Sequence, residues 1–119
     1  MKTFRIATYN VNSIRSRLHI VIPWLKENRP DVLCMQETKV NDPEFPALPF
    51  EEIGYHVVFR GDKRYNGVAC ASLNKPSSVH FGLDDAGPAD GDRLIRAVYS
   101  GVAVLNSYVP QGRERETEH

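Results

Sequence analysis

Ala7-Thr8-Tyr9-Asn10-Val11-Asn12 and, one crossover later, Leu33-Cys34-Met35-Gln36-Glu37-Thr38-Lys39 are the stretches whose reading decides the fold. Each is an apolar run that ends abruptly in oxygen-bearing side chains, Asn10 and Asn12 in the first and Glu37 in the second. Between them Leu18, Val21, Ile22 and Leu25 fit a helical stripe, which Asn28-Arg29-Pro30 ends. Pro23 is expected in the first turn of that helix, where a proline is tolerated, and Trp24, beside the stripe, in the core. Strand, helix and buried strand predict a crossover unit with parallel strands. The polar side chains then emerge together at one edge of the sheet. An amide oxygen and a carboxylate converging there can hold a hard divalent cation such as Mg²⁺.

Outward from this unit the pattern changes. Residues 41–50 carry Pro43, Pro46 and Pro49 and read as loop or one short helical turn. His56-Val57-Val58-Phe59 and the run from Gly67 to Leu73 read as strands. Residues 94–99 and 102–108 are two further strands, and Ser100-Gly101 between them suits a tight antiparallel hairpin. The terminal residues 113–119 are all polar, a composition that frays.

Bulk composition narrows the class. A chain of 119 residues fits one domain, and 41% hydrophobic with 25% charged residues is globular rather than disordered. Lys+Arg and Asp+Glu are equal at 15 each, which argues against a histone-like basic binder but leaves room for a local basic face. Cys34 and Cys70 both sit in apolar strand-like runs and read as reduced, buried thiols rather than a secreted disulfide framework. No window reaches the roughly 18 apolar residues of a membrane helix. The first residues run straight into a strand without a signal-peptide core. The expectation is a cytoplasmic protein with no membrane partner.

Four segments together are specific: Thr8-Tyr9-Asn10-Val11-Asn12, Gln36-Glu37-Thr38-Lys39, Tyr65-Asn66-Gly67-Val68-Ala69 and Asn106-Ser107-Tyr108-Val109-Pro110-Gln111-Gly112. In this order they resemble the exonuclease III family of apurinic/apyrimidinic endonucleases, within the endonuclease/exonuclease/phosphatase superfamily. The resemblance implies an α/β fold in which residues 1–119 form one half of a four-layer α/β sandwich, a mixed sheet with helices on its outer face. It implies a nuclease using Mg²⁺ or Mn²⁺ on double-stranded DNA with abasic sites or 3′ ends. By the same resemblance Glu37 and Asn10 hold the metal, and Tyr108 acts on the phosphate. Asn12 and Lys39 support the ligands from behind, while Arg15, Lys39, Tyr65 and Arg113 face the DNA.

Each residue also has a plainer reading. Glu37 could cap a strand end, and Asn10 and Asn12 are ordinary turn residues. Tyr108 could be a rim aromatic, Lys39, Arg15 and Arg113 solvated cations, and Tyr65 a half-buried packing residue.

The resemblance maps to the amino-terminal half of complete members. Their second half supplies a Gly-Asp-x-Asn segment and a late Asp-His pair, and neither is found in this sequence. The expected consequence is a half-domain that contributes one sheet and leaves its inner face bare. Such an apolar face is unusual on a monomer, so a second chain, a second copy or the rest of a longer molecule is expected to cover it. Two other readings stay open: a phosphatase or nonspecific nuclease of the same superfamily, and a non-catalytic fragment that binds DNA or a partner.

Overall fold

In the computed structural model, which describes residues 3–61, 66–82 and 94–108, seven strands and two α-helices are placed. Strand β1 (Ile6–Asn10) leads into helix α1 (Ile14–Asn28), which returns as strand β2 (Val32–Gln36). β1 and β2 are parallel, with Asn10 opposite Gln36, as the crossover pattern predicts. A 3₁₀ turn (Asp42–Glu44) and helix α2 (Ala47–Glu52) occupy the proline-rich segment. β3 (His56–Arg60) and β4 (Val68–Ser72) complete a four-stranded mixed sheet in the order β1-β2-β4-β3.

A second, three-stranded antiparallel sheet follows: β5 (Ser78–Phe81), β6 (Leu94–Tyr99) and β7 (Val102–Ser107). Ser100 (φ 50°) and Gly101 (φ 82°) join β6 to β7. Two successive positive-φ residues make the turn whose twist matches that of the paired strands. Here the structure departs from the expectation of one sheet with a bare inner face. The chain supplies strands to both sheets, and the second folds over the inner face of the first. Val32, Cys34, Val68 and Cys70 from one sheet meet Ile95, Ala97, Tyr99 and Val104 from the other in a buried cluster. The uncovered surface therefore lies elsewhere. β1 is an edge strand, and Ile6 on it is half exposed.

The opposite face of the first sheet packs against the helices. Ile14, Val21 and Leu25 of α1 and Phe50 of α2 bury against Leu33, Met35, Ala69 and Ala71. This explains why β2 and β4 are apolar on both faces: each is sandwiched between two clusters. Fully burying one such Leu or Phe contributes about 1.5–3 kcal/mol.

Helix α1 begins earlier than its apolar stripe suggests, because Ser13 caps it through its hydroxyl to the Ser16 N–H. Pro23 consequently lies inside the helix, not in its first turn. It is tolerated because Pro23 and His19, whose carbonyl loses its partner, are both on the exposed side. Trp24 is not core either. It is 41% exposed and lines an apolar groove of about 290 Å³ with Ala7, Tyr9, Ile20 and Leu33, along the free edge of β1.

The helix ends at Arg29, a left-handed cap whose N–H donates to the Leu25 carbonyl. Its guanidinium donates to the Ile53 carbonyl at 2.7 Å and lies over the Tyr55 ring. Tyr55, 1% exposed, donates its hydroxyl to the Pro30 carbonyl at 2.7 Å. Tyr55→Phe removes this buried donor and strands the carbonyl, so a loss of about 1–2 kcal/mol is expected. A urea midpoint lowered at unchanged slope checks it; an unmoved midpoint contradicts it.

Cys34 and Cys70 are free thiols directly opposite each other on β2 and β4. The Cys34 thiol donates to Cys70, and this hydrogen bond and then burial push it well up, so it stays protonated.

Candidate functional site

The site forms where three chain turns meet at the ends of β1 and β2 and the start of β4. Backbone hydrogen bonds lace the turns together. The Val11 N–H donates to the Gln36 carbonyl at 3.0 Å, Ser13 to Glu37 at 2.8 Å, and Ile14 to Thr38 at 3.0 Å. On the other side Thr38 donates to the Gly67 carbonyl at 3.1 Å and Lys39 to Asn66 at 2.9 Å. These bonds hold an unusual backbone. Asn12 (φ 47°), Ser13 (91°), Glu37 (57°), Lys39 (59°) and Asn66 (45°) are all left-handed. Asparagine enters that region readily, but Glu, Lys and Ser do so at a cost. Strain of this kind persists only where surrounding structure over-determines it, and it concentrates at working sites.

The side chains converge on Glu37. The Tyr108 hydroxyl, at the end of β7, donates to Glu37 Oε2 at 3.1 Å. Lys39 Nζ is 3.9 Å from the same oxygen and donates to Asn12 Oδ1 at 2.7 Å. Asn10 Oδ1 accepts from the Asn12 N–H at 3.1 Å, a turn that fixes the amide just beyond β1. Glu37 and Tyr108 come from different sheets, 71 residues apart in sequence, so this meeting is a product of the tertiary fold.

Of the residues singled out from sequence, Glu37, Lys39, Asn12, Asn10 and Tyr108 therefore share one strand-end cluster. Arg15 is different: it sits on the first turn of α1, 61% exposed, 3.6 Å from Glu44. Tyr65 and Arg113 lie outside the described residues, as does the polar terminal run.

Two participants, Asn106 and Gln36, stood in the specific segments but were given no role there. Asn106, on β7 and 2% exposed, accepts at Oδ1 from Gln36 Nε2 at 2.8 Å. Its Nδ2 donates to the Ala69 carbonyl at 2.8 Å, to the Met35 carbonyl at 3.1 Å and to Cys70 Sγ at 3.6 Å. Gln36 Nε2 also donates to Thr8 Oγ1 at 2.9 Å. The available clue was positional: Asn106 precedes Tyr108 by two, hence shares its face of the strand.

Chemically, the cluster offers one carboxylate, two amide oxygens, a phenolic hydroxyl and an ammonium at the strand ends. That donor set fits a hard cation that keeps most of its water, which is how Mg²⁺ is usually bound. Among the described residues no group of three or more His, Cys, Asp and Glu side chains offers a fuller cage. The apolar groove beside Trp24 is lined by no such groups.

The profile described as the Endonuclease/Exonuclease/phosphatase family matches residues 7–117. Exodeoxyribonuclease III of Haemophilus influenzae is 32% identical over 118 residues, which cover 96% of this chain and 44% of that protein. The structure of an AP endonuclease from Archaeoglobus fulgidus superposes with a TM-score of 0.88 at 66% identity, over 92% of this chain and 42% of that one. A 3′ phosphatase from Neisseria, bound to a product DNA hairpin, superposes with a TM-score of 0.86 at 38% identity, over 98% of this chain and 48% of the other. The chain thus spans less than half the length of the relatives it matches.

Proposed function

Because the chain belongs to the endonuclease/exonuclease/phosphatase family, we propose that residues 1–119 are the amino-terminal half of a Mg²⁺- or Mn²⁺-dependent DNA-repair nuclease acting at abasic sites and 3′ ends. The observation that carries this reading is the 3.1 Å contact between Tyr108 and Glu37, which joins the tips of the two sheets. It puts a hydroxyl donor beside the carboxylate of the strand-end cluster.

Glu37 and Asn10 would hold the ion, with Asn12 and Lys39 bracing them. Such an ion, when bound, would supply polarisation of the phosphoryl oxygen and offset charge on the leaving oxyanion. The residues of this chain do the positioning. Tyr108 turns its hydroxyl from Glu37 to a non-bridging phosphate oxygen, where a fixed donor stabilises the charge that develops. Lys39 neutralises phosphate charge at the rim, and Arg15, Tyr65 and Arg113 follow the DNA strand.

The group that activates water is absent from this set. General acid–base assistance is typically worth about 10²–10⁴ in rate. The 119-residue chain alone, in Mg²⁺, is therefore expected to cleave an abasic-site duplex at least ~100-fold more slowly than the complete Archaeoglobus enzyme. Comparable rates would overturn the half-site reading. Faster cleavage of a phosphoinositide or of plain duplex would favour another branch of the family. DNA binding without cleavage at any Mg²⁺ concentration would favour a non-catalytic fragment.

The remainder of the fold is expected on the side of β1, an edge strand among the described residues, where Ile6 on the strand and Ile20 and Trp24 beside it are exposed. Whether carried on the same polypeptide, a second chain or a second copy, the added segment would extend the sheet and cover that groove. The two buried free thiols support a reducing, cytoplasmic setting.

A further inference from the structure

We propose that Asn106 is a positioning residue: through Gln36 it fixes the height of β7 over β2, so that Tyr108 meets Glu37. The proposal rests on the reading of Glu37 and Tyr108 as working groups, and concerns what brings them together.

The two sheets otherwise touch through apolar side chains, Val32, Val68, Ile95, Ala97 and Val104 among them. Such contacts are non-directional and tolerate small slips of one sheet over the other. Asn106 adds a contact that does not. Its Oδ1 takes a hydrogen from Gln36 Nε2, and its Nδ2 faces the carbonyls of Met35 and Ala69 on two neighbouring strands. Carbonyls only accept, so the amide has one orientation. At 2% exposure water cannot replace these partners, and any slip leaves donors and acceptors unpaired in the interior.

The geometry then repeats one pleat further along. Asn106 and Tyr108 share a face of β7, while Gln36 and Glu37 are consecutive at the end of β2. Asn106 to Gln36 at 2.8 Å forms one rung, and Tyr108 to Glu37 at 3.1 Å the next. The second bond of Gln36, to Thr8 on β1, ties the strand that presents Asn10 into the same chain. A single buried amide thus indexes both sheets just below the site. Nothing about stability alone requires this arrangement, since an apolar side chain would fill the same space between the sheets.

The test is made on the 119-residue chain by NMR, with Asn106→Leu and, as a milder change, Gln36→Met, which leaves the bonds of Asn106 to Met35 and Ala69 in place. In the unaltered chain the Tyr108 ring shows a nuclear Overhauser contact to the Glu37 side chain, and substoichiometric Mn²⁺ broadens both Tyr108 and the Asn10 side-chain amide. In each folded variant the Tyr108–Glu37 contact is expected to disappear, while Mn²⁺ still broadens the Asn10 side-chain amide. A role in stability only would lower the melting temperature and leave the Tyr108–Glu37 contact intact, which overturns the proposal. Should Asn106→Leu fail to fold, the Gln36→Met spectrum decides alone. Absence of Mn²⁺ broadening in the unaltered chain removes the ion-binding reading instead, while the Overhauser contact still judges Asn106.

Discussion

Glu37→Gln is expected to weaken Mn²⁺ binding more than ~100-fold while leaving the fold in place. The size follows from what the residue supplies: it is the sole carboxylate in the described cluster, and loss even of a partner behind a metal ligand typically costs about 10–100-fold in affinity. Glutamine keeps the length and one oxygen but removes the charge, and amide oxygen alone is a poor substitute for carboxylate towards a hard cation. The stability side is separable. Glu37 meets Lys39 at 3.9 Å with both side chains partly exposed, 24% and 36%. Pairs of that kind contribute only about 0–1 kcal/mol. The Tyr108 hydroxyl can donate to a glutamine oxygen as it does to the carboxylate. Calorimetric titration with Mn²⁺ beside a thermal melt reads both quantities. Affinity retained in a folded variant would detach the ion from Glu37 and with it the nuclease reading.

Several features of this fold were legible from residues alone, and for physical reasons. The β1–α1–β2 crossover announced itself because periodicity switches from strand to helix and back around the Asn28-Arg29-Pro30 stop. The β6–β7 hairpin was marked by Ser100-Gly101, where the backbone needs two positive φ values. Strand β5 was not, since Ser78-Val79-His80-Phe81 is short and alternates with polar residues, so nothing separates it from loop. The second sheet's position over the first was equally hidden, because an apolar inner face looks the same whether its cover comes from the same chain or another. Trp24 misled for a related reason: α1 borders the open edge of β1, and the stripe that faces the core is narrower than the apolar one.

The site divides in the same way. Glu37, Asn10, Asn12, Lys39 and Tyr108 could be named because they carry chemistry at strand ends. Their mutual contact could not, since it depends on the stacking of two sheets. The left-handed backbone at Glu37 and Lys39 leaves no mark in residue type, as neither favours that region. Asn106, quoted only as part of a segment, drew no role because a polar residue inside an edge strand ordinarily faces solvent, and here the first sheet buries it.

Gly67→Ala is the substitution expected to do most harm to the fold, and it acts on the strained loop from behind. Gly67 has φ +98°, and a Cβ built there would lie 2.1 Å from Thr38 Oγ1 and 3.2 Å from the Lys39 nitrogen. Thr38 has nowhere to go: it is 1% exposed, its N–H donates to the Gly67 carbonyl at 3.1 Å, and its carbonyl accepts from Ile14 at 3.0 Å. Overpacking of this kind costs about 1–3 kcal/mol, and an L-residue at such φ adds roughly 1–2 kcal/mol. The sum, about 3 kcal/mol, corresponds to a melting temperature lower by roughly 10 °C for a domain of this size. Because Thr38 links Glu37 to Lys39, ion binding should weaken in the same variant even below its melting point. Adding Thr38→Ala deletes the atom that the new methyl strikes. The double variant is therefore expected to melt higher than Gly67→Ala alone, recovering the overpacking share and keeping the backbone share. Simple additivity of the two losses would show that the glycine serves the turn only and that Thr38 does not press against it.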